Sequence, residues 1–127
     1  MYNYKSYLKE SNSISFNEAE EIYEKMLASI DFNDSDAKEI WDELIESLIK
    51  YAAIRSKWLT LTREERVEKD PGRSLVHNSL IASFNMLSRY LERIDKDTSW
   101  RVQLGEERKR IGDFACYIAF IFGLNAR

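Results

Sequence analysis

Residues 108–122 read Arg108-Lys109-Arg110-Ile111-Gly112-Asp113-Phe114-Ala115-Cys116-Tyr117-Ile118-Ala119-Phe120-Ile121-Phe122. Ile111, Phe114, Ala115, Ile118 and Phe122 recur at helical steps and define one apolar face. Tyr117 and Phe120 load the opposite side, beside Asp113. Gly112, Cys116, Ala119 and Gly123 are small residues at the spacing that lets a neighbouring helix come close. A helix that is apolar on nearly all sides belongs in the middle of a bundle or in an oligomer interface. The predicted helix spans Glu106–Phe122.

Upstream, the same period recurs. Phe16, Ala19, Ile22, Tyr23, Met26, Leu27 and Ile30 form one stripe, so a helix is predicted over Phe16–Ile30. Ser15 and Glu18 open it with the spacing of a capping box. Asp31 to Ser35 supplies the turn. Ala37, Trp41, Leu44, Ile45, Leu48, Ala52 and Leu59 predict a second helix over Asp36–Leu59, with Arg55 on its apolar stripe. Thr62 and Glu65 form a second capping box and open a short helix. That helix is predicted to stop near Asp70, because proline disfavours helical backbone in the residue before it. Pro71-Gly72 then reads as a break. Val76, Leu80, Phe84, Leu87, Leu91 and Ile94 predict a helix over Arg73–Ile94, and Trp100–Leu104 a further helical turn.

The chain therefore reads as all-α, a single-domain bundle of four to five helices over residues 1–127. Residues 1–14 read as an N-terminal arm or a short docked turn. With one proline and four glycines among 127 residues, the chain has few of the turn formers a sheet protein needs. A chain of this length buries enough surface to fold without disulfides or metal. Cys116 is the single cysteine, so no internal disulfide exists and a cytoplasmic setting is expected. The start of the chain lacks the apolar core of a signal peptide. The most apolar stretch, Phe114–Leu124, is shorter than the roughly 20 residues a membrane span takes.

Net charge is −3, unevenly placed. Residues 1–50 hold 5 basic and 12 acidic groups, a balance of −7, and residues 51–127 hold 14 and 10, a balance of +4. A nucleic-acid binder usually carries a domain-wide basic excess. The run Arg108-Lys109-Arg110 alone is too short to supply one.

No cluster has the spacing of a metal site, and no cofactor is expected. Structural zinc prefers cysteine and histidine, of which the chain has one each. A nucleophile mechanism would draw on Cys116 with His77, but nothing in the sequence places them together, and Cys116 lies among small apolar residues as a packed core thiol does. No catalytic residue is assigned. Five polar residues lie on or beside faces that otherwise look buried: Arg55, Arg73, His77, Arg110 and Asp113. Buried charge is tolerated when paired. The expected arrangement is an ion-pair network joining three helices, with Asp113 paired to Arg55, Arg73 or His77. The alternative is a shallow polar pocket for an anion or a partner's side chain.

A further clue lies in two stretches. Arg73-Ser74-Leu75-Val76-His77-Asn78-Ser79-Leu80 onward to Tyr90, with Trp100-Arg101, and Arg108 to Ile118 resemble one family. It consists of short helical proteins of low-GC Gram-positive bacteria and their mobile elements, with no assigned activity. The resemblance covers residues 50–127. It implies a bacterial cytoplasmic protein carried by a phage or transposon, and transfers no functional residue.

The function expected from all this is a non-enzymatic protein-interaction module, bound to a protein partner or to a second copy of itself. Trp100, Tyr117 and Phe120 are the interface candidates, with Trp58 and Tyr2, Tyr4 and Tyr7 as further exposed aromatics. The alternative cover for the Tyr117 side is the first helix and the N-terminal arm. The mobile-element link adds a special case, an inhibitor of a host defence protein such as an anti-CRISPR. The second reading is a nucleic-acid-associated regulator using the basic C-terminal half. A membrane partner is not expected.

Overall fold

The computed structural model describes residues 13–58 and 60–123. Among these it holds five helices and no strand: α1 (Phe16–Ala28), α2 (Ser35–Trp58), α3 (Arg63–Arg93), α4 (Ser99–Leu104) and α5 (Arg108–Ile121). The chain is an all-α single-domain bundle. None of these helices is long and apolar enough to cross a membrane. The predicted arm lies almost wholly outside the described residues, and so does Leu59.

The expected centre is the observed centre. From Ile111 to Ala119 every residue of α5 is buried, Asp113 included. α2 packs along both α3 and α5, while α1 and α4 close the remaining side. Gly112 makes the α2–α5 approach possible: a Cβ there would meet Cδ of Arg55 at 3.0 Å. The Arg55 stem therefore lies directly on the α5 backbone.

Helix starts follow the capping chemistry, with one difference. At α3 both halves of the predicted box form: Thr62 Oγ1 accepts from Glu65 N–H at 3.2 Å, and Glu65 Oε1 accepts from Thr62 N–H at 2.9 Å. At α1 only Ser15 caps, accepting from Glu18 N–H at 3.0 Å. The Glu18 carboxylate instead meets Arg110 on α5 at 2.9 Å. A local reciprocal cap has been exchanged for a tertiary ion pair.

The break predicted at Pro71-Gly72 does not exist. α3 runs unbroken for 31 residues with Pro71 inside it. Proline removes one backbone donor and crowds the carbonyl four residues earlier, at a cost near 3 kcal/mol in a helix interior. Here the side chains on both sides of Pro71 are mostly exposed, so the neighbouring backbone is open to water. Across the break, Asp70 binds Arg73 at 3.0 Å and Arg108 of α5 at 3.6 Å, which ties the helix together on either side of the proline.

Candidate binding site

The five polar residues expected to form one network fall into two groups. The first surrounds Asp113 on α5, which is fully buried and accepts a hydrogen bond from the Ser13 hydroxyl. Arg55 lies against the adjacent Gly112, and the charges of Asp113 and Arg55 both act on the Cys116 thiol. Burial pushes that thiol well above its ordinary pKa, with the Asp113 carboxylate adding to it. A thiol held neutral is a poor nucleophile.

Arg110 belongs to the same side. Its Nε donates to the Leu104 carbonyl at 2.9 Å, Nη2 to the Gln103 carbonyl at 2.9 Å, and Nη1 to the Ser13 carbonyl at 2.6 Å. It thereby satisfies carbonyls that the end of α4 leaves open. The hydrogen bond from Arg110 also holds the Glu18 carboxyl below its usual range. Every arm of this guanidinium is committed within the chain.

Arg73 and His77 form the second group, one turn apart on α3, and neither pairs with Asp113 as expected. The Arg73 guanidinium stacks 3.9 Å from the centroid of Trp58. Its Nη2 binds Asp70, while its buried Nε has no hydrogen-bond partner. His77 is buried beside Tyr51, 5.9 Å between ring centroids, and its Nε2 also lacks a partner. Burial raises the Tyr51 hydroxyl pKa, and the positive charges of Arg73, Arg108 and Arg55 pull it the other way. Three arginines from three helices thus converge near one buried tyrosine.

Beside this second group lies a groove of about 560 Å³ between the end of α2 and the early turns of α3. Ile54, Trp58, Leu61 and Arg73 line its half-buried part, and Lys57, Lys69 and Glu68 its exposed part. A shallower depression of about 280 Å³ shares Trp58 and adds Arg66, Val67 and Asp70. Arg66 Nε donates to the Trp58 carbonyl at 3.0 Å, which anchors the end of α2 to α3.

The expected interface residues lie elsewhere. Trp100 is fully buried in the core and Tyr117 is 3% exposed. Phe16 of α1 packs edge-on against Tyr117 at 5.1 Å and Phe120 at 5.8 Å, and Tyr23 meets Tyr117 at 6.3 Å. The first helix of the same chain covers the second face of α5, which corrects the placement of Tyr117 at an intermolecular surface, and burial of Trp100 of α4 beside Phe84 in the core corrects its own. Phe120 stays half-buried under Phe16.

The basic run is also spent largely inside the chain. Arg108 bonds the Ser74 hydroxyl at 2.8 Å and pairs with Asp70, and Arg110 is committed as above. Lys57, Leu61, Lys69 and Asp70 were not among the residues singled out by sequence. Reading Pro71 as a break hid Lys69 and Asp70, because it placed them on a short helix of their own, apart from Arg73. No group of residues among those described could hold a metal ion. The chain matches no protein-family model, no curated protein and no solved structure.

Proposed function

We propose that the chain is a non-enzymatic binding module that captures a partner protein in the groove between α2 and α3. The observation that carries this reading is the groove itself. It is concave, its half-buried part is mainly apolar, and it centres on a tryptophan braced by an arginine, the two residue types richest in binding hot spots. Its volume falls in the range of functional pockets. The polar residues that could have suggested catalysis are held otherwise: Cys116 is buried, and the Asp113 carboxylate is bonded by Ser13. The nucleic-acid reading uses the basic C-terminal half, and within it two residues of the Arg108-Lys109-Arg110 run have intramolecular partners.

The mobile-element setting implied by the C-terminal resemblance, and with it inhibition of a host defence protein, is a special case of this proposal. Phage or defence genes beside the coding gene would support that special case. The module itself is tested by placing a photoreactive amino acid at Leu61 and, separately, at exposed Glu39 on α2. A partner crosslinked from position 61 alone is purified and titrated against the chain. Trp58→Ala should weaken that binding at least tenfold, about 1.4 kcal/mol, with the helical spectrum unchanged. Equal crosslinking from both positions, or binding indifferent to Trp58→Ala, overturns the reading.

A further inference from the structure

The groove's lining has a chemistry that specifies its occupant. Its charged members are Lys57, Lys69 and Arg73 against Glu68, and the adjoining depression adds Arg66 and the Asp70 that pairs with Arg73. Arg73 is the best placed of the groove's own cations. Stacking on Trp58 fixes its plane and Asp70 takes Nη2, while Nε is shut off from the groove by burial, which leaves Nη1 as the donor a ligand can reach. A guanidinium held flat with that donor uncommitted offers a carboxylate a charge-assisted hydrogen bond. The immobilisation cost of such a contact is already met by the stack.

The occupant must also be apolar and extended. Ile54, Trp58 and Leu61 offer an apolar bed, and Trp58 is shared with the second depression. That depression leads to Val67, which is 72% exposed. A ligand touching Ile54 and Val67 across Trp58 needs the reach of a polypeptide segment.

We propose that the groove takes an acidic amphipathic segment of a partner protein, with an apolar side chain seated against Ile54 and Trp58 and a neighbouring carboxylate on Arg73. Lys57 and Lys69 flank that carboxylate and attract the acidic residues around it. The inference rests on the binding-module reading and names the partner's chemistry. The acidic faces of α1 and α2 make a second copy of this chain a competing occupant. Their exposed residues include Glu20, Glu24, Glu39 and Glu43.

The test pans a random twelve-residue peptide library on the immobilised full chain. Selected peptides are synthesised and titrated against the parent, Trp58→Ala, Arg73→Ala and a Lys57→Glu/Lys69→Glu double variant. Circular dichroism confirms that each variant is folded. The proposal expects peptides that pair Asp or Glu with Leu, Phe or Trp. Their binding should fall at least tenfold in Arg73→Ala and in the double variant, and also when their acids become amides. Neutral or basic peptides that still need Trp58 would overturn the acidic assignment and leave the module standing. Acidic peptides that bind Arg73→Ala as tightly as the parent would also overturn it. Failure to select any peptide sensitive to Trp58→Ala overturns both readings. Sedimentation equilibrium adds the last outcome: self-association of the parent that Arg73→Ala abolishes makes the occupant a second copy and rejects a separate partner.

Discussion

Arg110 and Arg73 sit at the two sides of this bundle and do opposite things with the same side chain. Arg110 donates to three backbone carbonyls and one carboxylate, tying α5 to α1, α4 and Ser13. Arg73 gives one nitrogen to Asp70, lays its face on Trp58, and leaves a buried nitrogen unmatched beside a groove. A guanidinium with all its donors used is a clamp. One held in place with a donor unused is, on the function proposed above, a receptor. Buried polar groups in folded proteins are almost always satisfied, and Arg73 Nε, His77 Nε2 and, in the core, Trp100 Nε1 are exceptions among the described residues.

Asp113→Ala should have the largest effect on this contrast. It removes a fully buried carboxylate from the clamped side and leaves the Ser13 hydroxyl without its acceptor, at a cost of about 3 kcal/mol in urea unfolding. A variant that unfolds with the parent would show that Asp113 is not part of the clamp. Arg110→Ala comes next, at about 2.5 kcal/mol, because charge-assisted bonds to carbonyls are lost together. Arg73→Ala should cost less than about 1 kcal/mol, since its ion pair is partly exposed and its stack is a single contact. Equal costs for the two arginines would erase the distinction between clamp and receptor.

Pro71→Ala probes the receptor side alone. In an unbroken α3 it restores a backbone donor and should raise stability by about 2 kcal/mol. No gain would mean that the helix breaks near Asp70, as sequence predicts. That position shows where sequence reading stops. The helical stripes, the caps at Ser15 and Thr62, and the burial of α5 were legible because each depends on local spacing. The continuity of α3 was not, because proline spacing alone favours a stop, while the contacts that hold the helix on either side of Pro71, including Asp70 with Arg108 of α5, are partly tertiary. Arg55, Arg73, His77, Arg110 and Asp113 were legible as polar residues on apolar faces. Their division into two groups was not, because Ser13 and Glu18, which complete the first group, lie 100 and 92 positions away from Asp113 and Arg110. Tyr117 was misplaced for the same reason, and Trp100 because α4 turns it into the core beside Phe84. An apolar second face on α5 says that something covers it, and only the packing of Phe16 says what.

The smallest expected effect is a pH dependence confined to the clamped side. The hydrogen bond from Arg110 lowers the Glu18 carboxyl pKa below the ordinary value of 4.5. A carboxylate with a depressed folded pKa binds fewer protons in the native state than in the unfolded one. Its stabilisation is therefore complete above the unfolded value and is lost as pH falls through the folded one. Glu18 is 35% exposed in its side chain, so solvent screens the pair and the effect is modest. Glu18→Gln keeps a hydrogen-bonding side chain but removes the titration. The parent should be the more stable of the two at neutral pH, and the gap should close as pH drops below 4.5. The capping carboxylates Asp34, Glu65 and Asp97 are also lowered, but they are present in both proteins and cancel in the difference. Urea midpoints measured for both proteins across the acid range make the comparison. Parallel curves would mean that Glu18 is not coupled to Arg110, and the clamp would then rest on the backbone carbonyls alone.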